Sequence, residues 1–393
     1  MDLEHLRALD ASDPLARFRD AFALPDGVIY MAGNSLGPPP KAAAARLAEV
    51  ARGQWGGDLV AAWTRRDWIG APERVGAKIA PLIGARPSEV IVTDSTSVNL
   101  FKLLAAALAA RPGRRTVLTV EDDFPTDLYV AGGTAALVGD ARIVRVRRGE
   151  LEAAIGEDTG VVLLTHAHYR SGEVWDMAAV NAAARSVGAW TLWDLSHSAG
   201  VVEVDLSGSG ADLAVGCGYK YLNGGPGAPA YLYVSKRLQP LLENPVAGWM
   251  GHAAPFDFSG DYRPAEGVRR FLAGTPPILS LLALETAIDA IEGAEPAALA
   301  AKARRLGDLF LELIAERCPG LERACPGPGK RRGGHVAFRH PEAQALSERM
   351  AAKGLIGDVR PPDLLRFGLS PLYLRYEDVG RAVELIAETL GGG

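Results

Sequence analysis

Only three cysteines occur in 393 residues, Cys217, Cys318 and Cys325. They follow no paired spacing. A disulfide framework is therefore excluded, and a reducing, cytoplasmic setting is expected. No run approaches the ~18–20 apolar residues that a membrane helix needs, so a membrane is not an expected partner. The start, Met1-Asp2-Leu3-Glu4-His5, has no basic residues and no apolar core, and is not expected to act as a secretory signal. With 42 basic against 47 acidic residues, the net charge of -5 offers no basic surplus for nucleic acid. His166-x-His168 has no acidic ligand or cysteine pair at close spacing, so no metal is expected there. There is no internal repeat. The one biased stretch, Pro326-Gly327-Pro328-Gly329-Lys330-Arg331-Arg332-Gly333-Gly334, reads as a solvated turn.

What is present is an ordinary globular composition, 48% hydrophobic and 23% charged. The length suits one large domain with a smaller companion. Residues 1–25 read as amphipathic helix, 28–40 as a short strand and a polar turn, and 41–53 as helix. Strands are expected at 89–93, 116–120, 142–146, 160–165, 189–194, 212–216 and 228–234, with helices between them, such as 97–110 and 176–187. That alternation implies a mainly parallel sheet flanked by helices. Residues 243–278, rich in Gly and Pro, read as a long loop region. Helices follow at 279–293 and 296–317. Segments 333–338, 355–359, 364–369 and 376–390 read as a small α+β domain.

The chemistry gathers at strand ends. Trp190 to Trp193 form a buried strand that ends in Asp194, with His197 three residues on. The next small-residue strand delivers Tyr219 and Lys220 into a loop holding Gly224, Gly225 and Gly227. An acid at one strand end and a lysine at the next suit pyridoxal phosphate. The lysine can form a Schiff base, and the acid can keep the pyridine nitrogen protonated. Thr93-Asp94-Ser95-Thr96-Ser97 opens a helix; it fits a plain cap or an anion cup. In Glu121-Asp122-Asp123-Phe124-Pro125-Thr126-Asp127 the acids read as solvated, while Phe124 could stack on a flat ring. Thr165 closes its strand toward the same site. Cys217 reads as a packing residue. Arg366, flanked by apolar residues on a strand, fits either a surface ion pair or bidentate capture of a carboxylate.

These motifs resemble the kynureninase family, fold-type I enzymes of the class V aminotransferase group that use pyridoxal phosphate. The resemblance rests on Gly33-Asn34-Ser35-Leu36-Gly37, residues 93–99, Phe124-Pro125-Thr126-Asp127, Asp194-x-x-His197-x-x-Gly200, the run from Gly218 to Gly227, Gly248-Trp249-Met250-Gly251-His252, Gly274-Thr275-Pro276-Pro277-Ile278 and the run from Arg366 to Tyr373. It covers nearly the whole chain. It implies a fold-type I α/β transferase fold, with residues 1–50 as an N-terminal segment packing on the small domain, 51–280 as the large cofactor domain and 281–393 as the small α+β domain. It also implies a homodimer with shared sites.

Residue by residue, the resemblance implies that Lys220 carries the cofactor and that Asp194 pairs with the ring nitrogen, with His197 beside it. Thr96, Ser97 and Tyr219 line the phosphate cup, Phe124 stacks on the ring, and Thr165 and Asp127 complete the pocket. Trp249 and Thr275 reach the phosphate from the second copy. Arg366 holds the substrate carboxylate, and Trp63 and Ser35 lie against the aryl ketone. Where animal relatives carry Ser-Asn, this chain has Gly274-Thr275, at positions that touch the substrate ring. The implied reaction is hydrolysis of L-kynurenine, and less readily of its 3-hydroxy form, to anthranilate and L-alanine. Lys220 moves the α-proton and Tyr219 protonates the departing carbon. The rival readings are a cysteine desulfurase or aminotransferase of the same group, and a protein that only binds a metabolite. A desulfurase needs a mobile reactive cysteine, and neither Cys318 nor Cys325 lies in a matching motif.

Overall fold

The structure, a computed structural model, describes residues 3–391; residues 1 and 2 of the expected N-terminal helix lie outside them. A seven-stranded sheet runs in the order Val90–Val92, Tyr231–Val234, Leu213–Gly216, Trp190–Asp194, Thr159–Thr165, Thr116–Val120, Arg142–Val146. The five strands from Leu213–Gly216 to Arg142–Val146 are mutually parallel. Tyr231–Val234 departs from the expected alternation and runs antiparallel to both its neighbours. The inner strand Thr159–Thr165 is buried along its whole length, as a strand covered on both faces must be. Arg142–Val146, at the sheet edge, is partly exposed and carries two arginines that protect it from edge-to-edge pairing.

Helices Thr96–Ala109 and Pro125–Val138 pack together on one face of the sheet, over Leu100, Leu103, Leu104 and Val117. On the other face Ala71–Ile79 packs against Ile278–Asp289. The Trp193 indole crosses from the sheet to donate to Asn181 of helix Met177–Ser186 at 2.9 Å, so its one polar atom is satisfied in the core.

A second, four-stranded sheet is antiparallel, in the order Asp358–Arg360, Leu364–Gly368, His335–Arg339, Glu322–Arg323. Helices Pro296–Arg317 and Tyr376–Gly391 pack together beside it. Helix Leu3–Ala11 lies on Tyr376–Gly391. Its Asp10 carboxylate accepts the Tyr376 and Glu377 backbone N–H groups at 2.7 and 3.0 Å, capping that helix from outside its own sequence. Strand Ile29–Tyr30 pairs in parallel with Leu355–Ile356.

Two local readings need correction. The helix expected over 41–53 is α-helical only to Glu49 and then widens into a π-helical stretch, Val50–Asp58. The turn 326–334 is solvated only in part. The Arg332 side chain is buried and donates to Asp308 at 2.7 Å, because its guanidinium tucks under helix Pro296–Arg317. No helix among the described residues is long and apolar enough to cross a membrane.

Candidate active site

Lys220 sits in the turn after strand Leu213–Gly216, and Asp194 ends the neighbouring parallel strand. Lys220 Nζ lies 2.9 Å from His197 Nε2. His197 is buried, and its Nδ1 has no partner. Burial, followed by the charge of Lys220, holds the imidazole well below its usual pKa, so it is neutral. Gly37 brings the N-terminal segment against this turn. Its N–H donates to the Tyr219 carbonyl at 2.8 Å, and an added Cβ would run into the Lys220 carbonyl and Asn223. This close approach explains why Gly33–Gly37 belongs to the site although it lies far from Lys220 in sequence.

The acids beside the lysine are more numerous than the sequence suggested. Asp194, Asp127 and Asp123 are all buried, whereas Glu121 and Asp122 are exposed. Reading the whole loop cluster as solvated was wrong for Asp123, because the chain folds it under the sheet end. Asp123 accepts the Thr165 hydroxyl, the Thr165 N–H at 3.1 Å and the Phe124 N–H at 2.7 Å. The Thr165 hydroxyl is thus engaged within the chain. Burial, then the Asp194 and Asp123 charges, push Asp127 well above the usual carboxylate range. Burial also raises Asp194, against the opposing charge of Lys220 and hydrogen bonds from Ser196 and Asp127. Of the two, Asp127 is raised further, so it is the acid that holds its proton more readily.

Helix Thr96–Ala109 begins just after strand Val90–Val92, two positions along the sheet from Leu213–Gly216. Ser95 caps it by accepting from the Val98 N–H at 3.4 Å, and Thr96 and Ser97 are partly exposed. Phe124 is partly exposed and meets Tyr169 edge-on, with ring centroids 5.2 Å apart. Burial, then the neighbouring Cys217 and Asp194, raise the Tyr219 phenol, which keeps its proton. Cys217 is buried in its strand end, as expected.

The set fits pyridoxal phosphate. It offers an imine-forming lysine, a buried acid at the neighbouring strand end, an aromatic face and the free N–H groups of a helix start. The unpartnered atoms Asp127 Oδ2 and His197 Nδ1 mark polar space that the chain does not fill by itself.

Arg366 is fully buried. Cross-strand register puts it directly opposite Asp358. Its Nε donates to Asp358 Oδ1 at 2.8 Å and its Nη2 to Asp358 Oδ2, while Nη1 reaches the Tyr169 carbonyl. Burial pushes the Asp358 carboxyl up, but hydrogen bonds and charge from Arg366, with Ser35 and Arg360, hold it below the usual range. Ser35 donates to Asp358 and accepts from Arg366 and Arg360 at 3.3 and 3.2 Å. Ser35 therefore sits with the arginines and apart from Trp63. Asp358 and Arg360 were missed. The available signal was their i, i+2 spacing in the short segment before Arg366, which puts both on one face of a strand.

Trp63 lines a separate apolar cavity of about 530 Å³ with Trp55, Leu59, Trp68, Thr275 and Ile278. The Met250 N–H donates to the Ala273 carbonyl at 3.2 Å, which brings Trp249 beside Gly274-Thr275. Trp249, Gly274 and Thr275 are exposed. Within one chain this group stands apart from the lysine pocket.

His166 and His168 are each engaged, with Ser198 and Ser171 at 2.9 Å, and no group of three metal-ligating side chains occurs among the described residues. A further buried histidine, His335, lies with its ring 5.5 Å from that of His197 and was also missed.

Cys318 is buried, and burial lifts its thiol to about 11. Burial also raises the Cys325 thiol. Neither is a ready thiolate.

The fold resembles the apo structure of a cysteine desulfurase from Thermococcus onnurineus NA1, with a TM-score of 0.79 at 20% identity over 98% of each chain. It is the fold-type I α/β fold. A family model described as "Kynureninase C-terminal domain" matches residues 299–386. Over the full length the chain is 51% identical to the kynureninase of Deinococcus radiodurans, covering 99% of this chain and 97% of that protein. It is 46% identical to the kynureninase of Pseudomonas fluorescens, covering 98% and 94%. With about half of all positions shared along nearly the whole of both chains, this chain belongs to the kynureninase family.

Proposed function

We propose that this chain hydrolyses the β,γ carbon–carbon bond of L-kynurenine to give anthranilate and L-alanine, with pyridoxal phosphate as cofactor. The observation that carries this reading is the meeting of Lys220, His197 and Asp194 at one sheet end, in a chain of the kynureninase family. The cofactor supplies an electron sink for charge developed at the substrate Cα. Asp194 would hold its ring nitrogen, with Asp127 buried beside it. Phe124 covers the ring, and Thr96 and Ser97 offer helix N–H groups and hydroxyls to the phosphate. Lys220 takes the α-proton and returns it, with neutral His197 accepting a hydrogen bond from its amine. Water adds to the aryl ketone carbon and the β,γ bond breaks to leave the aryl carboxylic acid; Tyr219, whose phenol stays protonated, donates to the departing β-carbon and regains a proton from solvent. Arg366 orients the carboxylate. Adding L-kynurenine to the holoenzyme should release anthranilate fluorescence, and its absence would sink this reading.

The residue divisions 1–50, 51–280 and 281–393 serve as N-terminal segment, cofactor domain and small domain. The pairing of Ile29–Tyr30 with Leu355–Ile356 supports packing of the N-terminal segment on the small domain. The active unit is a homodimer in which the partner subunit's Trp249 and Thr275 complete the phosphate site. The exposed rings of Trp55, Trp249, Phe256 and Phe258 support such a covered face. Mixing Lys220→Ala with Trp249→Ala chains should restore activity in mixed dimers, to about a quarter of wild type for random pairing. No recovery would argue against shared sites.

Kynurenine is preferred over its 3-hydroxy form, because Gly274 gives a ring hydroxyl no side-chain partner. A Cβ there meets nothing within 4 Å. Comparing kcat/KM for the two substrates tests this preference. The setting is cytoplasmic, with neither membrane nor nucleic acid as partner. The raised thiols of buried Cys318 and half-buried Cys325 weigh against a desulfurase.

A further inference from the structure

The carboxylate end of the site contains two guanidinium groups, and they are used differently. Of the five N–H groups of an arginine side chain, Arg366 commits four. Nε and one on Nη2 go to Asp358, the other on Nη2 goes to Ser35, and one on Nη1 goes to the Tyr169 carbonyl. Its side chain is 0% exposed and its charge is matched by the Asp358 carboxylate. A carboxylate arriving at Arg366 finds one free N–H and no free charge, unless it displaces Asp358.

Arg360 is in the opposite state. Its side chain is 36% exposed. It stands 3.4 Å from Asp358 Oδ2, at the corner of a carboxylate already held in two places by Arg366, and Nη2 gives Ser35 a hydrogen bond of 3.2 Å. Its remaining protein contact is with its own neighbour, the Val359 carbonyl, at 3.1 Å. It shares Ser35 with Arg366, whose Nη1 reaches the Tyr169 carbonyl, and its charge acts on Tyr219, Tyr169 and His197. Two cations against one anion leave a single positive charge, which is what a substrate with one carboxylate requires.

We propose that Arg360 supplies the uncompensated charge that binds the α-carboxylate of the substrate, held between the Arg360 fork and the free Nη1 hydrogen of Arg366. Asp358 is the positioning residue: it fixes Arg366 and cancels its charge, so that specificity for a monoanion falls to Arg360. This deepens the reading of kynurenine as substrate and rests on it. It assigns a specificity role to a residue in the segment before Arg366, which the sequence alone did not single out.

The test compares a ligand that has the carboxylate with one that lacks it. Kynuramine is kynurenine without its carboxylate and serves as a competitive inhibitor. In Arg360→Gln holoenzyme, KM for L-kynurenine should rise roughly 10- to 100-fold, the range for losing a hydrogen-bonded charge partner. The kcat should stay within about threefold, because the interaction is made equally in ground and transition states. The inhibition constant of kynuramine should stay within the same threefold. Arg360→Lys should recover part of the loss, since it keeps the charge without the fork. An unchanged KM, or equal loss of kynurenine and kynuramine binding, overturns the proposal. Should Arg360→Gln not fold, as judged by circular dichroism and cofactor absorbance, Arg360→Lys carries the same comparison. Its selective loss of kynurenine over kynuramine supports the proposal, and an equal loss ends it. If the wild type itself releases no anthranilate, the reaction reading fails. Calorimetric binding of the two compounds to wild type and variant then still decides the role of Arg360.

Discussion

The acid cluster at the sheet end and the arginine cluster in the small sheet serve the two ends of one site, yet they are built by opposite devices. Asp194, Thr165 and the turn bearing Lys220 all follow parallel strands, and parallel strands deliver their C-terminal ends to one side of a sheet. Arg366 and Asp358 come from antiparallel neighbours and meet by register in mid-strand. Charge balance differs as well. The first cluster buries three carboxylates at one sheet end, where burial and the neighbouring charges raise Asp127. The second pairs its carboxylate fully and leaves a guanidinium over. The difference teaches that the cofactor end is assembled from unsatisfied groups that wait for a ligand. The carboxylate end is a finished ion pair with one charge to spare.

The largest expected effect lies in the first cluster. Lys220→Ala should lower kcat by at least about a thousandfold, since both covalent attachment and proton transfer are lost. The protein should stay folded and retain cofactor through the helix start. Measurable turnover above roughly a hundredth of wild type would remove Lys220 from the chemistry.

Asp194→Ala comes next, with an expected loss of about 10²–10³ in kcat and a shift in the cofactor absorption spectrum. A near-normal rate with an unshifted spectrum would show that this acid only shapes the strand end.

For the second cluster, Arg366→Ala should cost fold stability as well as binding. It leaves the largely buried Asp358 with only Ser35 and the more distant Arg360, a loss of up to about 3–5 kcal/mol. Thermal or urea unfolding reads this directly. Lys220→Ala should cost less, because Lys220 is only partly buried, hydrogen-bonds His197 rather than a carboxylate, and acts on Asp194 and Asp127 through charge alone. Equal destabilisation by the two substitutions would erase the contrast between the clusters.

The smallest effects are those of pH on stability, and their signs should oppose. Asp127 has a raised folded-state pKa. Its contribution is present below the unfolded value of about 3.9 and is lost as pH rises through the folded one. Asp358 has a lowered folded-state pKa. Its contribution is present above about 3.9 and is lost as pH falls through the folded value. In melting curves of the cofactor-free protein, Asp127→Asn should flatten the loss above pH 4 and Asp358→Asn the loss below it. The same sign for both would contradict the assigned protonation states.

Much was legible in the sequence. The seven strands of the large sheet fall where the apolar runs put them. Residues such as Asp194, Lys220 and the Thr96-Ser97 helix start stand out because a parallel sheet puts function at strand ends, and strand ends can be read locally. Asp123 was misread because an acid in a loop looks solvated until the loop is seen folded beneath Thr165.

Local pattern thus determined the elements, the sheet end and the lysine with its acid, since hydrophobic period and chain order are properties of neighbouring residues. Tertiary structure alone decided that Ser35 joins Arg366 and that Asp358 pairs in two places with Arg366 while Arg360 stands at its corner. It also decided that Trp249 and Thr275 share an exposed face away from Lys220. Each of these depends on register or closure between segments far apart in the chain, and a contact made by register leaves no mark in the local sequence.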